Sequence, residues 1–237
     1  MFEDFDNEAD ELGLRLFRHY ARTSRFIFDV GMNAGLYLYH AAAVRPEGAR
    51  VYGFEPNREL ADMVSANVAR NAIRDVEVIN KCVAAEAGAG QFFLTNTEYM
   101  NSLSEEFLRS KGRPVLGVIE VPLVRIDDFV SRNGIGADLL KIDVEGFEPG
   151  VIAGAWQTIR THRPVMLIEI ADSNLKSEFV GDLLRLGYRS FHLLGRRLVE
   201  IERPERFCAD RVEGHDNYLF TVNLDPELER FTSREVI

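Results

Sequence analysis

The run Leu139-Leu140-Lys141-Ile142-Asp143-Val144-Glu145 alternates apolar and charged residues. In a strand, alternate side chains share a face, so Lys141, Asp143 and Glu145 are expected on one side. A carboxylate at the end of an apolar strand can orient a hydroxyl or take its proton. Leu167-Ile168-Glu169-Ile170 brings a second carboxylate to the same rim. His192 and His215-Asp216-Asn217 also reach that rim if the strand over 217–222 runs antiparallel to the one over 189–193. The candidate catalytic residues are therefore Asp143, Lys141, Glu145, Glu169 and His215. An aspartate near its ordinary pKa of about 3.9 is a weak base for a hydroxyl, so Asp143 needs burial, a metal acting on the substrate, or a purely orienting role. Orientation or direct base action is favoured over metal, and no metal ligands are assigned. Lys141 with Asp143 is equally compatible with a buried ion pair that fixes the strand, and a solvent-facing loop is the plainer account of His215.

A second group lies near the N-terminus, where Asp29-Val30-Gly31-Met32-Asn33-Ala34-Gly35 follows a β-rich run over 25–30. Glycine at 31 permits a sharp turn, and glycine at 35 lets the next helix approach a ligand with no Cβ in the way. Dinucleotide sites space their glycines GxGxxG, whereas this chain has GxxxG, which suits a donor without phosphates. Phe54-Glu55-Pro56 then sets a carboxylate at the tip of the second strand, where ribose hydroxyls lie in a doubly wound sheet. S-adenosyl-L-methionine carries a ribose, an adenine, an amino acid tail and a sulfonium. Asp29, Glu55 and the turn amides match its polar groups, and Tyr37 or Phe54 could face the cation or the adenine. Transfer of its methyl group is an in-line displacement, in which the protein aligns the two reactants and removes the acceptor's proton.

The elements that must position these residues alternate strand and helix. Strands are expected over 25–30, 50–54, 76–80, 138–143, 165–170, 189–193 and 217–222, with helices over 35–44, 58–71, near 149–160 and over 176–186. That order predicts an α/β fold with a mostly parallel seven-stranded sheet and helices on both faces. Runs over 88–95 and 118–124 read as an inserted β-hairpin around a polar, mobile loop at 96–113. An amphipathic helix over 10–20 is expected to cover the sheet edge or the cofactor pocket. His19, His40 and His162 fall on helices with no carboxylate in view, and Trp156 is assigned to packing.

With 237 residues and 46% hydrophobic content, the chain can bury one full core, and residues 1–237 are read as one domain. A helical cover (1–25), a core (26–172) and C-terminal strands (173–237) make it up. No apolar run approaches the roughly 20 residues of a membrane span, and the acidic N-terminus lacks signal-peptide character, so a cytoplasmic protein is expected. Cys82 and Cys208 are expected to stay reduced. The formal charge of −10, with arginines scattered among acids, argues against a nucleic-acid partner. A small-molecule or carbohydrate acceptor fits better, and a homo-oligomer stays open.

Four segments together resemble the FkbM family of methyltransferases: FIFDVGMNAG at 26–35, FEP at 54–56, VPLVRIDDFV at 121–130 and DLLKIDVEGFE at 138–148. The last, followed by Gly150 and Ala153-Gly154-Ala155, is the most specific, and the resemblance spans about 26–170. It implies a Rossmann-like methyltransferase fold that uses S-adenosyl-L-methionine, and O-methylation of a hydroxyl on a sugar, glycan or natural-product small molecule. By motif position it implies Asp29, Gly31, Asn33, Gly35 and Glu55 as donor contacts and residues 80–83, with Cys82 and Val83, near the adenine. Asp143, at the edge of the donor site, would face the acceptor with Glu145. Residues 1–25, those after 172 and the loop at 96–113 are expected to shape acceptor choice. Three rivals remain: a non-catalytic S-adenosylmethionine-binding or partner-docking module, an NAD-dependent oxidoreductase, and an RNA ribose methyltransferase.

Overall fold

The computed structural model describes residues 8–96, 101–170, 176–203 and 217–234. The chain opens with α1 (Glu8–Ala21), β1 (Phe26–Val30), α2 (Leu36–Val44), β2 (Arg50–Phe54), α3 (Arg58–Arg70) and β3 (Val76–Ile79). An insertion follows: β4 (Cys82–Val83), β5 (Gly88–Leu94), α4 (Glu105–Ser110) and β6 (Gly117–Val124). Then come α5 (Ile126–Asn133), β7 (Leu139–Ile142), α6 (Glu148–Gly154), α7 (Trp156–His162), β8 (Val165–Glu169) and α8 (Lys176–Arg185). The chain closes with β9 (Arg189–Leu194), β10 (Arg197–Glu200), β11 (Asn217–Thr221), α9 (Pro226–Glu229) and β12 (Thr232–Arg234).

One sheet runs in the order β12-β10-β9-β11-β8-β7-β1-β2-β3. The five strands from β3 to β8 are parallel, β11 is antiparallel to both β8 and β9, and β10 is antiparallel to β9. All seven expected strands are present, and β10 and β12 carry the sheet on beyond β9. Because the chain leaves β1 towards β2 and leaves β7 towards β8, a crevice opens at the carboxyl ends of β1 and β7, where open α/β sheets bind ligands.

Helices cover both faces, as alternation requires. Ile27, Val51, Leu139 and Leu167 share one apolar core with Leu16 and Phe17 of α1, Leu38 of α2 and Val64 of α3. Phe28, Tyr52, Leu140 and Met166 face the other way, against Val130 of α5, Ile152 of α6, Ile159 of α7 and Val180 of α8. Half-buried Trp156 packs against this second core, in its expected role.

The insertion is more than a hairpin. β4 pairs parallel to β6 and β5 antiparallel to it, so three strands form a small second sheet. The segment read as a polar loop holds α4, whose Phe107 and Leu108 are buried. Ser104 accepts the Phe107 N–H at 3.1 Å and Glu105 and Glu106 fill the first turn, which favours a helix start there. Helix α6 crosses the insertion so closely that a Cβ on Gly154 would lie 2.0 Å from the Ala84 carbonyl oxygen. Asp127 accepts N–H groups from Gln157 and Thr158, which ties α5 to the start of α7.

Candidate active site

The glycine turn bends left-handed at three residues, Gly31 (φ +77°), Asn33 (φ +49°) and Gly35 (φ +86°). Gly31 and Met32 donate their N–H groups to the Phe54 carbonyl at 3.0 and 3.1 Å, which pins the turn to the tip of β2. Glu55 completes the tie. Its Oε2 accepts the Asn33 N–H at 3.0 Å, and its Oε1 accepts the Asn57 N–H at 2.8 Å. Burial pushes the Glu55 carboxyl up, and these two N–H groups pull it back. Each oxygen keeps a further lone pair for a ligand hydroxyl. Asn80 donates to the Glu55 and Pro56 carbonyls at 2.8 and 3.0 Å. Cys82 and Val83 form β4 beside this corner, and burial with the nearby Glu55 charge pushes the Cys82 thiol up to about 12.

The register of the central strands gathers a second cluster. Asp29 pairs with Lys141 across β1 and β7, Lys141 pairs with Leu167 of β8, and Asn217 of β11 pairs with Glu169. Asp29, Lys141, Glu169 and Asn217 therefore share the face covered by α1 and α2. Lys141 is 1% exposed, with Nζ 3.5 Å from Asp143 Oδ2 and 3.9 Å from Glu169 Oε2. Burial alone would lower its pKa, but Asp143, Tyr37, Glu169 and Asp29 outweigh it and hold the pKa above the ordinary range.

Tyr37, expected to meet a ligand cation or adenine, already has a cation over its ring: Lys141 Nζ lies 5.1 Å from the centroid. Phe17 of α1 packs edge-on against the same ring at 5.0 Å. A Cβ on Gly13 would come within 3.3 Å of the Tyr37 hydroxyl. Helix α1 thus roofs the ionic cluster.

Asp143 lies at the rim with a third of its side chain exposed, above the buried charges. Desolvation raises its pKa, Lys141 lowers it, and the neighbouring Glu169 charge raises it again. The two carboxylates expected to face one pocket are brought together. Asp143 also meets the glycine turn through its backbone: its N–H donates to the Val30 carbonyl at 3.0 Å, and its carbonyl oxygen fills the space where a Cβ on Gly31 would stand, 1.8 Å away.

Glu145 lies beyond the strand whose alternation suggests that three charges share a side. The strand ends at Ile142, and Glu145 (φ +50°) sits with Gly146 (φ +89°) in a left-handed turn beyond it. Alternation therefore no longer sets its direction. Three residues that sequence reasoning missed hold this turn. Ser102 donates its hydroxyl to the Glu145 carbonyl at 2.7 Å, Glu148 accepts the Gly146 N–H at 2.9 Å, and a Cβ on Gly146 would lie 2.4 Å from the Phe107 ring. Glu148 is fully buried and burial pushes its carboxyl up to about 7. The glycine after Glu145 was the available signal for a tight approach. His215 lies outside the described residues, as does Cys208. His19, expected without a carboxylate, bonds Asp225 at 3.0 Å.

Asp29 is 1% exposed, and burial pushes its pKa from 3.8 up to about 7 despite Lys141; Asp143 and Glu55 add to the rise. A carboxyl whose folded pKa exceeds its unfolded value binds more protons when folded. Its ionisation therefore weakens the fold as pH rises from about 4 through about 7. Asp29→Asn is expected to flatten that decline, by a few kcal/mol between pH 5 and pH 8 at most. Urea unfolding at the two pH values measures it, and an unchanged decline would show that Asp29 is ionised at little cost.

No helix among the described residues is long and apolar enough to cross a membrane. Among solved structures, the chain is similar to a methyltransferase FkbM from Methylobacillus flagellatus KT, with TM-score 0.52 and 15% identity over 91% of this chain and 55% of that one. It is similar also to an rRNA methylase from Streptococcus thermophilus, with TM-score 0.50 and 12% identity over 92% of this chain and 97% of that one. At these identities the likeness shows the fold, a Rossmann-like α/β methyltransferase fold. Methyltransferase sdnD of Sordaria araneosa is 29% identical over 166 residues, which are 57% of this chain and 63% of that protein. The chain thus spans less than two thirds of that relative's length and of the Methylobacillus protein's. Residues 29–191 match the family model of the methyltransferase FkbM domain, and with that match over more than half its length the chain belongs to the FkbM methyltransferase family.

Proposed function

We propose that the protein is an S-adenosyl-L-methionine-dependent methyltransferase acting on a hydroxyl of a sugar, glycan or natural-product small molecule. One observation carries the donor assignment. The left-handed turn from Gly31 to Gly35 closes on Glu55 while leaving two polar atoms, Asp29 Oδ2 and Asn33 Oδ1, buried without a hydrogen-bond partner among the described residues. Buried polar atoms left unpaired cost free energy unless a ligand completes them. Asp29 and Asn33 suit the donor's amino acid tail, Glu55 its ribose, and the corner near Cys82 and Val83 its adenine. The residues present fit the group.

When bound, S-adenosyl-L-methionine supplies an electrophilic methyl group. The chain's own part is to align the acceptor and accept its proton. Asp143 is the exposed member of the cluster, and its raised pKa makes it a stronger base than an ordinary aspartate. An acceptor hydroxyl at the rim would lose its proton to the Asp143 carboxylate, which Lys141 keeps ionised. Glu145 and Gly146, gripped by Ser102, Phe107 and Glu148, form the wall beside it.

Calorimetric titration with S-adenosylhomocysteine, beside NAD as control, tests the donor site. The expected result is saturable binding of the first alone, weakened at least about tenfold by Glu55→Ala. Binding of neither ligand would remove the donor reading. Asp143→Asn is expected to leave that binding within about twofold and to cut turnover by two orders of magnitude or more.

A further inference from the structure

The carboxylates gathered at the rim outnumber what their counter-ion needs. Asp29, Glu55, Asp143 and Glu169 converge there, and among the described residues Lys141 is the one ammonium in their midst. A single carboxylate would neutralise a buried lysine. The others repel one another, and Asp29 Oδ2 lacks a hydrogen-bond partner among the described residues. The groups facing Asp29 are Lys141 on β7, Asp143 after it and Glu55 at the tip of β2. Those facing Asp143 are Lys141, Glu169, Asp29, Glu55 and Glu148. Negative charge therefore dominates from four neighbouring strands, β2, β1, β7 and β8. In a site screened from water such an excess attracts a cation far more than it would at the surface.

Resting on the donor reading above, we propose that this excess of buried carboxylate senses the charge of the donor: it favours the cationic sulfonium over the neutral thioether that remains after methyl transfer. Donor and product share the adenosine and the amino acid tail, so shape and hydrogen bonds distinguish them little. The charge at sulfur is the difference. A site that binds the cation better gives up the spent ligand more readily, and the carboxylates that grip the charged form are also those that surround the acceptor's proton. Tyr37 adds little to this, because Lys141 already occupies the face of its ring.

The test is calorimetric titration of the full chain at pH 7.5 with three ligands: S-adenosylmethionine, sinefungin, which carries a protonated amine in place of the methylsulfonium, and S-adenosylhomocysteine. Glu169→Gln and Asp143→Asn each remove one negative charge at nearly constant shape, and neither residue is assigned to the amino acid tail that all three ligands share. In each variant the affinities for the two cationic ligands are expected to fall about tenfold, and that for the neutral thioether less than twofold. Asp143 lies nearer the surface, so its variant keeps the test open if Glu169→Gln disturbs folding. Equal losses for all three ligands, or none, would overturn the inference and leave the carboxylates a structural role. Failure of the unaltered protein to bind any of the three would overturn the donor reading and this inference with it.

Discussion

Gly31→Ala is expected to lower stability by at least about 4 kcal/mol, or roughly 10 °C in Tm, and to abolish S-adenosylhomocysteine binding. Two effects act at once. An L-residue at φ +77° carries the strain of the left-handed region, about 1–2 kcal/mol. The added Cβ would also stand 1.8 Å from the Asp143 carbonyl oxygen, a backbone atom that cannot rotate aside. Turn and rim must then separate. Gly48 supplies the control, because it has the same φ of +77° and a Cβ added there would meet nothing within 4 Å. Gly48→Ala is expected to cost only the strain, about 3 °C. Scanning calorimetry of the two variants separates the contributions, and a Gly31→Ala protein that melts with Gly48→Ala would show that the turn relaxes freely.

Lys141→Met carries the second large effect, and its size depends on pH. Removing the ammonium leaves Asp29, Asp143 and Glu169 without the charge that holds them, and breaking a buried ion pair in this way costs about 3–5 kcal/mol. Carboxyls that cannot ionise cheaply take up protons instead. Their folded pKa values rise further above the unfolded ones, so the variant is expected near wild-type stability at pH 5 and far below it at pH 8. The wild-type lysine itself stays charged throughout, since its raised pKa moves its titration to still higher pH. Urea unfolding at both pH values measures the difference. Adding Asp29→Asn should restore part of the loss at pH 8, and an equal loss at both pH values would assign the effect to packing alone.

The frame of this site is legible in the residues. Apolar runs ending at Val30, Phe54, Ile142 and Glu169 place the strands, and the order of strand and helix places their tips on one crevice. What stays hidden is set by contacts rather than pattern. β10 and β12 are short edge strands with too few residues for a period. In α4 the buried positions, Phe107 and Leu108, are adjacent, so no helical spacing announces them, although Ser104 with Glu105 and Glu106 marks the start. Glu145 lies past the end of its strand, where a left-handed turn takes over and alternation no longer sets direction. Glu148 looks like one more surface acid, and only the fold shows its carboxyl buried on the Gly146 N–H. The pairing of Asp143 with Glu169 is readable because both stand at strand ends. The sharing of Lys141 between them requires the register.

The insertion from β4 to β6 has a meaning for the history of such a chain. It lies inside the long connection between β1 and β7, which pair directly in the middle of the sheet. Loop-closure entropy grows only with the logarithm of loop length, so lengthening that connection by a small sheet costs roughly half a kcal/mol. Among the described residues, the insertion meets the turn at Glu145 and Gly146 through the Ser102 hydroxyl and the Phe107 ring. The part of the insertion that carries Ser102 and Phe107 can therefore vary while the parallel strands, the glycine turn and β4 stay as they are. Within the insertion, the segment that can diversify is joined to β4, the strand beside Glu55.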